Sequence, residues 1–185
     1  MGERVAMNEQ LLANNFVYLP SFIDAQQAAE LAEEFFRLES AGGCSEQSGC
    51  DKAPGVYNHL PFVRLLVKKV SEVSSVLGED VLPTYSYARI YKNTSELTRH
   101  TDRGGCEVSL TLNLYQDAEW PIWIRRPDGE PVGMSLKPGD AMMYFGIVAE
   151  HWREPYTGDN YAQVFLHYVR AHGEFADTFF DIKQY

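Results

Sequence analysis

The sequence is poor in cysteine and has no long apolar run. Three cysteines in 185 residues are too few and of the wrong parity for a disulfide framework, so we expect a reducing, cytoplasmic environment. No stretch approaches the ~20 apolar residues that a membrane-spanning helix needs. The first ten residues, MGERVAMNEQ, lack the apolar core of a signal peptide. We therefore expect no membrane partner.

Positive charge is also scarce. Sixteen Lys and Arg stand against 26 Asp and Glu, which gives a formal net charge of −10. Nucleic acid and anionic membrane surfaces both require clustered basic residues, so we expect neither as a partner. The sequence is instead well supplied with apolar (45%) and aromatic (13%) residues, which is typical of a folded globular protein. At this length we expect one domain over residues 1–185.

Residues 24–78, approximately, have the pattern of helices. The preceding NNFVYLPSFI predicts a short strand, and Asp24 can cap the helix that follows it. Pro61 fits the first turn of a second helix that Gly78 ends. Apolar residues at helical spacing form one stripe on each helix; they are Ala28, Leu31, Ala32, Phe35 and Phe36, then Val63, Leu66, Val67, Val70 and Leu77.

A Gly- and Ser-rich loop, residues 40–54, joins the two predicted helices. Its composition is compatible with a mobile lid and with a plain surface connection. Cys44 and Cys50 flank its polar centre, either as a metal clip or, more commonly, as two unligated thiols.

Residues 81–170, approximately, have the pattern of strands. The strand-like segments are TYSYARIYKN, CEVSLTLNLYQ, EWPIWIRR, PVGMSLKPG, DAMMYFGIV and NYAQVFLHYVR. The links between them are short and carry Pro and Gly in turn positions. Many short strands with regular turn signals predict a sandwich or barrel. We therefore predict a mainly β core braced by the N-terminal helices.

His100-Thr101-Asp102 is the first candidate for a functional motif. Residues two apart in a strand point to the same face, so His100 and Asp102 would lie together. An imidazole and a carboxylate are two parts of the facial triad that holds non-haem Fe(II). An HxD pair can equally be a surface hydrogen bond, so a third ligand is needed. We predict His151, on a later and neighbouring strand, with His167 as the alternative.

At this point the sequence resembles the Fe(II)/2-oxoglutarate-dependent oxygenases, in particular their prolyl-4-hydroxylase-like branch. The resemblance covers about residues 14–170, and its most specific part is HxD followed 49 residues later by His151, with PGD eleven to thirteen residues before that histidine. It implies a double-stranded β-helix, a cupin-like jelly roll of two packed antiparallel sheets. It also implies that His100, Asp102 and His151 are catalytic metal ligands.

The resemblance implies Fe(II), O2 and 2-oxoglutarate as cofactors and cosubstrates, with ascorbate as reductant in vitro. Tyr91, nine residues before His100, matches the family position whose phenol hydrogen-bonds the 2-oxoglutarate carboxylate. Asn113 shares a polar strand face with Ser109 and Thr111. Such a face indicates a liganded cavity or, alternatively, the solvent side of an edge strand.

One departure from the family pattern concerns the basic residue that binds the far carboxylate of 2-oxoglutarate. The family usually has Arg or Lys nine or ten residues after the distal histidine, where this chain has Asn160 and Tyr161. Asn160 stays among the predicted cofactor-binding residues, but neither residue can supply a charge-assisted bidentate contact. Arg153, two residues past His151, is the predicted replacement, and Arg89 is the second candidate. A local ion pair with a flanking glutamate is the alternative for Arg153.

The function implied by the resemblance is a dioxygenase that converts 2-oxoglutarate to succinate and CO2 and hydroxylates an unactivated C–H bond. The expected substrate is a small molecule or an amino-acid side chain. Asp102 favours hydroxylation over halogenation, because halogenating members of the family lack this carboxylate. Arg103 and Trp123 are predicted substrate contacts, although such a tryptophan is more often ordinary core. The alternative function is a non-catalytic, cupin-like module that binds a metal or small ligand.

Overall fold

Helices occupy the N-terminal part of the chain. The computed structural model describes residues 2–46 and 52–180, and for residues 2–6 the backbone alone. Its α-helices are α1 (Gly2–Asn14), α2 (Ala25–Ser40), α3 (Leu60–Lys68) and α4 (Val70–Leu77). Within those residues, no helix is both long enough and apolar enough to cross a membrane.

In the described part of the chain, ten strands form two antiparallel sheets, which confirms the predicted mainly β jelly roll. They are β1 (Phe16–Leu19), β2 (Gly55–Tyr57), β3 (Val81–Lys92), β4 (Leu97–His100), β5 (Val108–Gln116), β6 (Ile122–Arg125), β7 (Pro131–Met134), β8 (Ala141–Tyr144), β9 (His151–Arg153) and β10 (Asn160–Arg170). The large sheet has the order β1-β8-β5-β10-β3-β2, and the small sheet has the order β4-β9-β6-β7.

The large sheet separates two environments. One face packs on the helices in a continuous apolar core, which includes Phe35 of α2, Phe62 of α3, Ile90 of β3 and Leu166 of β10. Because strand side chains alternate, the remaining residues of β3, β5 and β10 face the small sheet. That inner face is unusually polar for buried strands, and it holds the candidate site.

The helical region matches the sequence analysis in part. Asp24 caps α2, since its side chain accepts a hydrogen bond from Gln27 N at 2.8 Å. The second predicted helix is in fact two, because the chain breaks at Lys69. Val67, which was predicted to be buried, is 49% exposed. The buried positions of α3 are Phe62, Leu65 and Leu66, of which Leu66 was predicted.

The loop of residues 40–54 lies partly outside the described residues, which omit 47–51. Both pairs of alternatives, a lid or a surface connection and a Cys44–Cys50 metal clip or two unligated thiols, therefore stay predictions. Helix α1 was not predicted, because its apolar residues form no clear stripe.

Candidate metal centre

The three predicted metal ligands lie together between the two sheets. Strands β4 and β9 pair with His100 directly opposite His151, and Asp102 follows two residues after β4. Asp102 Oδ1 lies 3.6 Å from His100 Nε2 and 3.8 Å from His151 Nε2. The three ligand atoms lie within 4.8 Å of one another, close enough to converge on one ion.

Backbone carbonyls orient both imidazoles. His100 Nδ1 lies 2.8 Å from Thr98 O, and His151 Nδ1 lies 2.9 Å from Ala149 O. A carbonyl can only accept a hydrogen bond, so each Nδ1 carries the proton. The Nε2 lone pairs are therefore free to bind a metal, as in metal sites whose histidines are held by a second hydrogen bond.

The carboxylate is oriented as well. Asp102 N–H donates to Gly146 O at 2.8 Å, and Ser109 Oγ donates to Asp102 Oδ2 at 3.3 Å. Oδ2 is thus engaged by the protein, while Oδ1 faces the two histidines. This arrangement suits monodentate coordination of a metal ion through Asp102 Oδ1.

The electrostatics of the site fit a divalent cation. Burial raises the pKa of Asp102, because a lone carboxylate charge is costly away from water. Burial, together with the charge of His100, lowers the pKa of His151 to about 4, so its imidazole is neutral at pH 7. Two imidazoles and one carboxylate form the donor set of non-haem Fe(II) sites, with positions left open.

A cavity of about 330 Å³ opens onto these ligands. Its walls are mainly aromatic, with a single arginine. Besides the three metal-ligand candidates, the lining residues are Tyr85, Tyr87, Arg89, Tyr91, Leu97, Thr98, Tyr144, Phe165 and His167. The predicted cosubstrate contact Tyr91 is therefore at the site.

Arg153 lies behind this cavity on the same strand as His151. It is 1% exposed, and its Nη2 donates to Gln163 Oε1 at 2.9 Å and to Tyr161 OH at 3.3 Å. Its Nη1 donates to Trp120 O. The guanidinium also lies 4.6 Å from the Trp120 ring centroid. All of these partners are electrically neutral.

The alternative for Arg153, an ion pair with a flanking glutamate, does not form. Glu150 pairs with Arg125 at 2.9 Å, and Glu154 accepts a hydrogen bond from Trp152 Nε1 at 3.0 Å. Within residues 2–46 and 52–180, Arg153 has no carboxylate within ion-pair distance. A buried cation with neutral neighbours is costly unless an anion binds beside it.

Several buried polar atoms near Arg153 lack hydrogen-bond partners in the described part of the chain. They are Arg153 Nε, Gln163 Nε2, Thr111 Oγ1 and Asn113 Oδ1. Buried polar groups are nearly always satisfied, so this cluster indicates that a polar molecule binds between the sheets. Strand β5 lies between β8 and β10, and Ser109, Thr111 and Asn113 are fully buried, so the alternative that this is the solvent face of an edge strand is wrong.

The other predicted contacts are placed differently. Asn160 begins β10 and accepts a hydrogen bond from Lys92 Nζ at 2.9 Å, away from the cavity. Trp123 lies on the outer face of the small sheet, 6.2 Å from the Trp152 ring, and does not line the cavity. Arg103 lies 4.7 Å from the ring centroid of Tyr85, which does line it.

Sequence reasoning missed several residues of the site, among them Gln163, Tyr87 and Phe165. The available signal was the alternation along β3 and β10, which places them on one face with Tyr91 and Tyr161. His167, the alternative ligand, lies on the far side of Asp102. Its Nδ1 is 2.8 Å from Ser109 Oγ.

Comparisons with known proteins agree with this architecture. The sequence matches no protein-family model and no curated protein sequence. Among solved structures, a prolyl-4-hydroxylase from Pseudomonas putida superimposes with a TM-score of 0.76 at 14% identity, over 90% of this chain and 98% of that one.

Two further structures superimpose over nearly the same range. The α-ketoglutarate-dependent epimerase SnoN of nogalamycin biosynthesis has a TM-score of 0.77 at 14% identity, over 92% of this chain and 83% of that chain. HygX from Streptomyces hygroscopicus, with nickel and 2-oxoglutarate bound, has a TM-score of 0.72 at 12% identity, over 93% and 88%. At such identities the similarity establishes the fold alone, and it is the fold that the sequence resemblance implies.

Proposed function

We propose that this protein is an Fe(II)- and 2-oxoglutarate-dependent dioxygenase that hydroxylates an unactivated C–H bond of a small molecule or amino-acid side chain. The observation that carries the proposal is the convergence of His100 Nε2, His151 Nε2 and Asp102 Oδ1 within 4.8 Å at the base of a cavity. Fe(II) bound there would supply O2 activation, coupled to conversion of 2-oxoglutarate to succinate and CO2. HygX binds nickel and 2-oxoglutarate in the same fold, which supports the choice of cosubstrate.

Arg153 would hold the far carboxylate of 2-oxoglutarate. It is two residues from His151 along β9, about 7 Å at the usual rise of a strand, which suits the length of a five-carbon diacid. A carboxylate beside the guanidinium would replace neutral partners with a charge-assisted hydrogen bond. Gln163 Nε2 and Thr111 Oγ1 are available as further donors. Arg153 would thus replace the cation that other family members carry near position 160.

The aromatic walls would exclude water from the reacting centre. Tyr144 packs edge-on against His151, with ring centroids 4.8 Å apart. Burial raises the pKa of Tyr144 well above its ordinary value, so its hydroxyl stays protonated and can donate a hydrogen bond. A dry site strengthens every charge interaction inside it.

The choice of hydroxylation over halogenation depends on Asp102. Its carboxylate occupies the position that halogenating members leave open, so the resemblance favours hydroxylation. The fold by itself does not determine the outcome, because SnoN is an epimerase.

The proposal is tested by supplying Fe(II), ascorbate, O2 and 2-oxoglutarate and measuring succinate. We expect succinate from the wild type through uncoupled turnover, and a loss of about 100-fold or more in His151→Ala, because one metal ligand is removed. His172→Ala removes an exposed histidine and is the matched control, with turnover unchanged. Iron bound stoichiometrically without succinate above the His151→Ala level would overturn the proposal.

A further inference from the structure

We infer that the substrate of this cavity is a small molecule with a flat, apolar body and a hydroxyl or N–H group that donates a hydrogen bond to His167 Nε2. The inference rests on the proposed function, because it assigns the substrate class of the same site. It depends on three observations: the position of His167, the hydrogen bond that fixes its tautomer, and the apolar rings around it.

His167 lies in the wall of the cavity. It belongs to β10, pairs with Ser109 of β5 and is 4% exposed, and it is one of the lining residues. One of its ring nitrogens lies within 4.8 Å of a carboxylate oxygen of Asp102. The imidazole is therefore close to the metal centre and accessible to a molecule that binds in the cavity.

Ser109 determines which nitrogen of this imidazole carries the proton. Burial lowers the pKa of His167 from 6.5 to about 4, so at neutral pH the ring carries one proton, on Nδ1 or on Nε2. Nδ1 lies 2.8 Å from Ser109 Oγ. The Ser109 hydroxyl has a single proton, and it also contacts two groups that can only accept, Asp102 Oδ2 at 3.3 Å and the Cys106 carbonyl at 3.0 Å.

The proton of His167 is accordingly assigned to Nδ1. If Nδ1 accepted the Ser109 proton instead, the Asp102 carboxylate would lose this donor, and a buried charged acceptor that loses a donor is costly. When Nδ1 donates to Ser109 Oγ, the hydroxyl proton stays available to Asp102. Nε2 then has a lone pair and can only accept a hydrogen bond.

Nε2 has no protein donor in the described part of the chain, where the hydrogen bond of His167 is the one at Nδ1. Buried polar atoms are nearly always satisfied, so water or a bound molecule must supply the donor. A hydroxyl or N–H group can do so, whereas an ether oxygen or a carboxylate can only accept. A substrate analogue without the donor would leave the acceptor unpaired and bind less tightly.

Apolar rings lie on either side of this acceptor. The ring of Phe165 is within 7° of parallel to the imidazole, with centroids 6.1 Å apart, and the Tyr85 ring lies 4.5 Å from it. A group that reaches Nε2 in the imidazole plane passes beside these rings, so a flat, apolar body is favoured. The cavity volume of about 330 Å³ is near the lower end of the roughly 300–1,000 Å³ typical of ligand sites, which suits a small molecule.

NMR of the protein loaded with diamagnetic Zn(II) and 2-oxoglutarate tests the tautomer. Two-bond proton–nitrogen spectra of isotope-labelled histidine distinguish a protonated ring nitrogen from an unprotonated one. At pH 7 we expect His167 to have a protonated Nδ1 and an unprotonated Nε2, with its signals identified by their loss in His167→Phe. A protonated Nε2 would overturn the inference, because it would donate rather than accept.

Matched probes test the preference for a donor in the same loaded protein. Phenol is titrated beside fluorobenzene, and indole beside benzofuran; the members of each pair have similar shapes, but only the first donates a hydrogen bond. We expect the donor to bind about three- to tenfold more tightly, the net effect of one hydrogen bond. His167→Phe keeps a flat ring without the acceptor and should abolish the preference. His172→Phe, at an exposed position, is the matched control and should keep it.

Equal binding within both pairs by the wild type, or an undiminished preference in His167→Phe, would overturn the inference. Failure of the proposed function has a different readout, which is the absence of 2-oxoglutarate binding to the Zn(II)-loaded protein in calorimetry. In that case the probes are titrated with Zn(II) alone, and their relative affinities still test the role of His167.

Discussion

At the scale of single residues, Gly146 sets the position of Asp102. Its carbonyl accepts the Asp102 N–H, and a Cβ placed on it would lie 2.5 Å from Asp102 Oδ2 and clash with the Cys106 carbonyl. The Cys106 carbonyl belongs to the backbone and has little freedom to move. The added methyl group must therefore displace the Asp102 carboxylate. We expect Gly146→Ala to weaken Ni(II) binding by roughly 10–100-fold, as is usual when a ligand loses its supporting contacts.

Isothermal calorimetry with Ni(II) measures this change. Gly129→Asn is the control, because Gly129 has φ +88 and open space around it, and Asn tolerates that conformation. Unchanged Ni(II) affinity in Gly146→Ala would show that the carboxylate does not depend on this close approach.

His167 predicts a pH dependence of stability. Burial lowers its pKa from 6.5 to about 4, so between these values the unfolded state binds a proton that the folded state does not. The free energy of unfolding should therefore fall as the pH falls from 6.5 to 4. In metal-free His167→Asn, the slope should be shallower by up to one proton, about 1.4 kcal/mol per pH unit.

Urea denaturation of the metal-free wild type and variant at several pH values gives both slopes. Other titrating groups, His151 among them, are common to the two proteins, so the difference in slope reports His167 together with Asp102, the carboxyl group with which it interacts. Parallel curves would contradict the assignment of a neutral, buried His167.

The spacing of residues along the sequence predicted the positions of some site residues but not of all of them. His100, His151 and Arg153 follow from residue parity on strands that pair directly, and Asp102 lies two residues beyond the end of β4. Trp123 does not, because EWPIWIRR is apolar at successive positions and its alternation does not identify the inner face. In the structure Ile124 lies opposite His151, which turns Trp123 outward.

At the scale of elements, Asp117 ties two connections together. Its Oδ1 accepts hydrogen bonds from Tyr156 OH at 2.7 Å and Asp159 N at 3.0 Å, and its Oδ2 accepts one from Asn160 N at 2.8 Å. The link after β5 is thereby joined to the loop that begins β10. Asp117→Ala should lower the free energy of unfolding by about 2–4 kcal/mol, because three donors lose a charged acceptor.

Urea denaturation at pH 7 measures this effect, and Asp117→Asn should recover part of it, since an amide oxygen can replace one carboxylate oxygen. A loss below about 0.5 kcal/mol, the usual size for surface substitutions, would show that the connection is held by other contacts.

The helical region shows a limit of prediction from apolar periodicity, which did not predict the boundary between α3 and α4. The apolar spacing runs without interruption from Leu60 to Leu77, so the sequence predicts one helix. At the break, Lys69 Nζ donates to the Phe22 carbonyl, a tertiary contact that the spacing does not reveal, and it also pairs locally with Glu72 at 2.6 Å. The N-cap at Asp24 and the left-handed Gly78 were predictable, because both depend on local chemistry alone.

At the scale of the whole molecule, the mainly β core could be predicted from turn signals and alternation, but the strand count could not, because the short strands β2, β4 and β9 were not among the predicted strand segments. The strand order could not be predicted either, since partners such as β1 and β8 are distant in sequence; the family resemblance implied only a jelly roll of two packed antiparallel sheets. Structures that share this fold are 12–14% identical to the chain. Along the strands of the large sheet, side chains alternate between the helix-covered face and the inner polar face. This pattern can persist at such low sequence identity.

The central claim is that this fold binds a metal and 2-oxoglutarate together, with Arg153 as the anchor. The most direct test is anaerobic titration of the Fe(II)-loaded protein with 2-oxoglutarate, monitoring the weak visible charge-transfer band of the chelate. The account predicts a band in the wild type, none in His151→Ala, and a dissociation constant for 2-oxoglutarate raised about tenfold or more in Arg153→Gln, which loses the charge-assisted bond. Normal iron binding with no band in the wild type would contradict it.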